Sequence, residues 1–336
     1  VMDSVKAENG KVTIVLKDKP TKAPTLEDVQ LQMNLNGTGN KDVKITGFTY
    51  DDDKTIVLTF DKVAQTDKTQ KFTLTVTLDG KSMTSNEVTI EAKDLVREFV
   101  ARLYKHLLGR KPDPAGLDSW TEVLKSKKES GAKVAQGFIE SPEFKKRNLS
   151  DKEYIAVLYR TFLDREADSE GLAAWQKVLD SGMSRLYVFK GFAESDEFTK
   201  ICNDYGIIRG NVTLTAPMDQ NVIVTKFIAR CYKFCLGRKG DEAGINAWCN
   251  QILTGKNTAK QAAYGFVFSD EFKNRNLSDE EFVKTMYRVF MDREADPAGL
   301  NSWVKVLKEG KSREHVFNGF ADSDEFKKLC ESYGIK

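Results

Sequence analysis

Four stretches of this chain are near-copies of one another, so whatever it folds into must use the same local chemistry four times. They are Leu103-Tyr-Lys-His-Leu-Leu-Gly-Arg-Lys-Pro-Asp-Pro-Ala-Gly-Leu-Asp-Ser-Trp120, Leu158-Tyr-Arg-Thr-Phe-Leu-Asp-Arg-Glu-Ala-Asp-Ser-Glu-Gly-Leu-Ala-Ala-Trp175, Cys231-Tyr-Lys-Phe-Cys-Leu-Gly-Arg-Lys-Gly-Asp-Glu-Ala-Gly-Ile-Asn-Ala-Trp248 and Met286-Tyr-Arg-Val-Phe-Met-Asp-Arg-Glu-Ala-Asp-Pro-Ala-Gly-Leu-Asn-Ser-Trp303. A second block follows each: Gly137-Phe-Ile-Glu-Ser-Pro-Glu-Phe144, Gly191-Phe-Ala-Glu-Ser-Asp-Glu-Phe198, Gly265-Phe-Val-Phe-Ser-Asp-Glu-Phe272 and Gly319-Phe-Ala-Asp-Ser-Asp-Glu-Phe326. Copies one and two start 55 residues apart, as do three and four, while one and three are 128 apart. The unit is therefore a pair, repeated once. Both pairs close on the same tail, Cys202-Asn-Asp-Tyr-Gly-Ile207 and Cys330-Glu-Ser-Tyr-Gly-Ile335.

Each recurring residue has a local job. Gly109, Asp164, Gly237 and Asp292 follow the first helix of each copy, where a left-handed residue ends it. Arg110, Arg165, Arg238 and Arg293 come next, near the negative end of that helix. Asp113, Asp168, Asp241 and Asp296 stand where a second helix must begin, and Pro114 and Pro297 suit its first turn. Trp120, Trp175, Trp248 and Trp303 fall on the apolar face and should be buried. Ser141, Ser195, Ser269 and Ser323 should cap a further helix, and Ser150–Glu153 and Ser278–Glu281 read as capping boxes. The Arg–Asp pairs are read as loop salt bridges with a helix cap rather than as ligand clamps. Each Asp-x-x-Gly loop offers one or two carboxylates, far short of a calcium loop's ligand set.

Residues 1–93 have a different character. Runs such as Val12–Lys17, Thr55–Phe60 and Lys71–Leu78 alternate with period two and are divided by turn signals such as Asn9-Gly10 and Asp79-Gly80. About seven short strands of this kind suggest a two-sheet sandwich. Asp51-Asp52-Asp53 reads as a solvated hairpin turn rather than a cation site. The expected architecture is multidomain: an all-β immunoglobulin-like sandwich over 1–93, a helical repeat-pair domain over 94–207, a linker over 208–221 and a second all-α repeat-pair domain over 222–336.

The repeated Leu-Tyr-x-x-x-Leu-Gly-Arg-x-Pro-Asp-x-x-Gly-Leu-x-x-Trp signature, with its Gly-Phe-x-x-Ser-x-Glu-Phe block, resembles the bacterial domain-of-unknown-function family 4214. Ala167, Gly240 and Ala295 depart from it where the signature has Pro before the Asp. The resemblance implies a helical module of the secreted and surface-attached proteins of bacteria, gut anaerobes among them, often beside immunoglobulin-like modules. It implies no active site.

Charge excludes other partners. The chain has 52 Lys plus Arg against 50 Asp plus Glu, with no basic segment to follow a phosphate backbone or an anionic membrane. Its opening residues already read as strand, so the chain is taken as a piece of a longer polypeptide. No nucleophile elbow, Walker loop, dinucleotide fingerprint or zinc-protease motif occurs. His106 and His315 do not recur at equivalent positions. No enzyme activity, cofactor or metal is expected. The five cysteines are Cys202, Cys231, Cys235, Cys249 and Cys330. Cys235 and Cys249 stand where the first unit has Leu107 and Thr121, on two helices of one hairpin, a placement suited to a disulfide. The other three read as small buried hydrophobes.

The functional expectation is a non-enzymatic adhesin-type surface or secreted module, whose duplication suits avidity. Its partner would be a host or matrix glycan or glycoprotein, such as a mucin or an immunoglobulin, bound by a monomer. Two alternatives stand beside it: a passive wall-associated spacer, and an accessory region of an enzyme lying outside this stretch.

Overall fold

The computed structural model describes residues 1–335. Residues 1–93 form nine strands, more than the seven or so runs expected. These are β1 (Met2–Glu8), β2 (Lys11–Leu16), β3 (Val29–Leu35), β4 (Asn40–Asp42), β5 (Ile45–Asp51), β6 (Thr55–Phe60), β7 (Gln70–Leu78), β8 (Lys81–Thr84) and β9 (Val88–Ile90). One sheet runs β1-β2-β6-β5 and the other β4-β3-β7-β8, with β9 also pairing β7. All pairings are antiparallel.

The period-two pattern fixes the inner faces. Val12, Ile14 and Leu16 of one sheet and Phe72, Leu74, Val76 and Leu78 of the other are buried in a single core, with their strand neighbours more exposed. Phe60 meets Phe72 edge to face across it, centroids 6.3 Å apart. Asp79 and Gly80 both take positive φ, 50° and 72°, which is the two-residue hairpin turn that matches strand twist. Asp52 and Asp53 are also left-handed, and Lys19 pairs with Asp53 at 2.6 Å.

Each repeat contributes four helices. The first helices are Leu95–Arg102, Asp151–Phe162, Val222–Arg230 and Asp279–Met286. Three of them widen into a π turn, at Leu103–Leu108, Cys231–Leu236 and Tyr287–Met291. The second helices are Pro114–Lys125, Ser169–Asp180, Glu242–Leu253 and Pro297–Lys308. The third are Gly131–Glu140, Arg185–Ala193, Ala259–Val267 and Arg313–Ala321. The fourth are Pro142–Lys146, Asp196–Tyr205, Asp270–Lys273 and Asp324–Ser332. No helix among the described residues is long and apolar enough to cross a membrane.

The chain divides into compact units differently from the expected cuts at 93, 207 and 221. One unit gathers Val1–Ala101, Pro114–Lys125 and Asn203–Ile207; the other takes Arg102–Asp113, Ser126–Cys202 and everything from Ile208 onward. The reason is hydrogen bonding at the expected seams. In the first unit the Lys93 amide donates to the Thr66 carbonyl at 2.8 Å, and Asp94 takes both the Arg97 amide and the Lys125 ammonium. In the second unit, 208–221 is not a free linker. The Gly131 and Ala132 amides donate to the carbonyls of Ile208 and Arg209, both at 2.8 Å. Lys190 donates to the Val212 carbonyl, and the Val212 amide donates to Glu194. Asp219, 8 % exposed, accepts from the Ser184 amide at 3.2 Å and its hydroxyl at 2.5 Å. The later part of the first repeat pair, Ser126–Cys202, thus shares the second unit with the whole of the second pair.

Candidate functional site: a clasp built four times

The recurring residues assemble the same cluster in every copy. The expected caps are in place. Gly109, Asp164, Gly237 and Asp292 have φ of 70°, 50°, 69° and 50°. Asp168, Asp241 and Asp296 accept from the amides of Gly171, Gly244 and Gly299 at 2.7, 2.7 and 2.8 Å. Ser141, Ser195, Ser269 and Ser323 each accept from the amide of the motif Phe three residues on, at 3.1 Å. Ser150 and Glu153 close a full capping box. Ser278 caps with its own hydroxyl alone, because Glu281 turns to Lys284 and Arg288 instead.

The arginines do more than pair with the nearby Asp. Arg110, Arg165, Arg238 and Arg293 lie over the rings of Tyr104, Tyr159, Tyr232 and Tyr287, 5.0 to 5.3 Å from the centroids. Their main ionic partner is the Glu of the second block. Arg110 grips Glu143 through two nitrogens at 2.6 and 3.2 Å, and Arg238 grips Glu271 at 2.7 and 3.1 Å. Arg165 holds Glu197 likewise at 3.1 and 3.3 Å, and Arg293 reaches Glu325 at 3.6 Å. The Asp contacts are looser: 3.7 Å for Asp113, 3.5 Å for Asp168 and 3.7 Å for Asp296. Each Tyr also packs edge to face on the Phe of its Gly-Phe pair, Phe138, Phe192, Phe266 or Phe320, with centroids 4.8 to 5.0 Å apart. The two sequence blocks therefore recur together because they touch.

The motif glycines leave room for those rings. A Cβ on Gly171, Gly244 or Gly299 would collide with the hydroxyl of Tyr159, Tyr232 or Tyr287. A Cβ on Gly191 or Gly319 would strike Trp175 or Trp303. Trp175, Trp248 and Trp303 stack at a tilt on Phe192, Phe266 and Phe320, with centroids 5.1 to 5.4 Å apart. All four tryptophans are half-buried rather than buried, Trp120 included. Each lies on the second helix, whose other face is in solvent.

Sequence reading missed a further set of arginines. Arg147 donates to the carbonyls of His106 and Leu107, both at 2.6 Å, and Arg275 to those of Phe234 and Cys235, both at 2.7 Å. They satisfy carbonyls that the end of a π turn leaves open. The signal was an arginine recurring at a spacing of 128 but not of 55. Arg102 and Arg230 serve the second copies instead, through the carbonyls of Thr161 and Val289.

The cysteine bridge expected between Cys235 and Cys249 is not formed. All five cysteines are free and buried. Cys249 faces the helix Val222–Arg230, with its sulfur 3.5 Å from the Thr225 hydroxyl. Burial pushes the Cys202 and Cys231 thiols up to about 12, and Cys235 well above its ordinary value. Native protein at mild alkaline pH should therefore react with no equivalent of an aromatic disulfide reagent, and unreduced, denatured protein with five. A denatured, unreduced sample yielding three would reinstate the bridge.

The clasp sets an acid limit. Hydrogen bonds from Arg110 and Arg238 hold the carboxyls of Glu143 and Glu271 below the ordinary 4.5. The Gly171 and Gly299 amides hold Asp168 and Asp296 below 3.8. A folded pKa below the unfolded one gives stability that is complete above the unfolded value and lost as pH falls through the folded value. The urea midpoint should stay level down to about pH 5 and then fall. The double change Glu143→Gln and Glu271→Gln should flatten part of that fall; an unchanged profile would show that these pairs do not carry it.

Chemically, the cluster spends its charges on itself. Every motif Arg has carboxylate partners, and Asp168, Asp241 and Asp296 each turn a lone pair to a helix N-terminus. Among the described residues no group of three or more His, Cys, Asp and Glu side chains gathers as a metal site would. The second unit has a shallow cleft of about 330 Å³ lined by Asp180, Gly182, Ala229, Lys233 and Lys239. Lys239 spans to Asp151 at 2.8 Å, and Asp151 also takes Arg185 at 2.8 Å.

The family described as "Domain of unknown function (DUF4214)" matches the chain four times in tandem, over residues 82–148, 135–202, 215–275 and 263–330. No curated protein matches the chain.

Proposed function

We propose that this chain, which belongs to the domain-of-unknown-function family DUF4214 over most of its length, is a non-enzymatic binding module of a bacterial surface or secreted protein, and that it recognises a host or matrix glycan or glycoprotein. One observation carries the reading. The positions that repeat are consumed inside the fold, whereas half-buried and exposed positions between them differ from copy to copy, with Lys190 and Glu194 of the second copy taken up by Val212. Residues 136, 190, 264 and 318 are equivalent and read Gln, Lys, Tyr and Asn; residues 140, 194, 268 and 322 read Glu, Glu, Phe and Asp. A fixed frame that presents a varied surface is how repeat proteins make binding faces. The extracellular setting rests on the family resemblance.

A passive spacer is the second reading. It is favoured by the pinned segment 208–221, which ties Ser126–Cys202 of the first repeat pair to the second pair within one compact unit. The deciding experiment presents the intact chain, shown folded by circular dichroism, to immobilised mucin, to serum and secretory immunoglobulins and to a printed oligosaccharide panel. Saturable binding to any of them supports the module. Silence across all three moves the reading to the spacer.

A further inference from the structure

Resting on that reading, we propose that the outer face of Tyr264, backed by the ring of Phe268 stacked behind it, receives the apolar face of a neutral pyranose ring, with the Lys260–Asp322 pair at its rim. The third copy breaks the repeat here. In the first copy Gln136 donates to Glu140 at 3.0 Å, and in the second Lys190 pairs with Glu194 at 2.6 Å. These are polar pairs one helical turn apart, and the second of them is half-buried against Val212. The third copy has two aromatic rings in their place, with centroids 4.5 Å apart and planes tilted by 38°.

Both rings rest on the buried Phe317, at 5.6 and 5.4 Å, so the platform is held from beneath. Tyr264 is nevertheless 42 % exposed, and it is the aromatic among the large exposed apolar side chains of the described residues. Lys260 lies one turn before Tyr264 on the same helix stripe. Its ammonium meets both oxygens of Asp322 at 2.8 Å. An ammonium and a carboxylate side by side offer donors and acceptors together, which is what vicinal sugar hydroxyls need. The C–H face of a pyranose would cover the outer face of Tyr264, which Phe268 supports from behind. The size of the patch argues against a protein partner. A stable protein interface buries about 1,200 Å² or more around an apolar centre, and two rings beside an ion pair supply a small part of that.

The test uses the intact chain and a printed panel of neutral oligosaccharides ending in galactose, glucose, mannose, N-acetylgalactosamine or N-acetylglucosamine. Two variants are compared: Tyr264→Gln, and Tyr264→Gln with Phe268→Glu, which restores the pair that the first copy carries. The expected result is saturable binding by the native chain, weakened about tenfold or more by either variant, with the thermal transition of the single variant unchanged. Binding that both variants retain would overturn the platform and leave the wider binding reading standing. A native chain silent on the panel would also overturn it, and the immunoglobulin and mucin arms would then decide the wider reading.

Discussion

Replacing Phe290 with Ala should destabilise the second unit by about 3–5 kcal/mol, the cost of a large cavity in a core that cannot collapse around it. Phe290 is fully buried. Its ring meets Phe326 at 4.8 Å, Phe317 at 5.4 Å and Phe320 at 6.3 Å. These neighbours come from the third and fourth helices of the last copy, so the lost ring unpacks both from the first. Phe320 also carries Tyr287 and Trp303, which links the cavity to the Arg293 clasp. Urea unfolding followed by tryptophan emission gives the measurement. Phe234→Ala is the control, because Phe234 is only partly buried and should lose far less. Equal losses at the two positions would show that the aromatic core is not what holds this unit.

Phe290 also shows what the repeat made legible. Its equivalents are Leu107, Phe162 and Cys235. The helical period put all four on the inner face, and all four are buried. Caps were legible for the same reason: a capping Asp or Ser and its amide lie three residues apart, so the chemistry is written in adjacent letters. Strand faces followed from the two-residue alternation. The family match then covers the helical repeats that these local signals outlined.

Partners far apart in the sequence were harder to read. Asp113 stands three residues from Arg110 and looked like its partner, yet Glu143 holds the guanidinium more closely. Glu143 takes two guanidinium nitrogens at once, which suits the planar fork better than the single looser contact to Asp113. Cys235 and Cys249 were close along one hairpin, but helix rotation aims the Cys249 sulfur at Thr225. The segment 208–221 looked like a linker because it has few periodic apolar residues. Its order comes from backbone groups and from Asp219, which composition does not register.

That segment carries the second large effect. Asp219→Ala should cost about 2–4 kcal/mol, because it strips the acceptor from two buried donors, each of which costs about 1–3 kcal/mol when left unmet. Those donors are the amide and hydroxyl of Ser184, itself 4 % exposed. The Ser184 hydroxyl also accepts from the Tyr187 amide at 3.0 Å and so starts the helix Arg185–Ala193. The damage should appear on both sides of the joint. Amides in the first turn of that helix should exchange faster with solvent, and so should those around Met218, whose own amide donates to Asn246 at 3.0 Å. Asp219→Asn keeps one acceptor oxygen in place and should lose less than the alanine variant. The asparagine comparison separates the hydrogen bonds from mere packing. If the two variants exchange and unfold alike, the Ser184 contacts are not what joins the repeat pairs; if only alanine loosens both sides, one carboxylate in an apparent linker couples two copies of the same module.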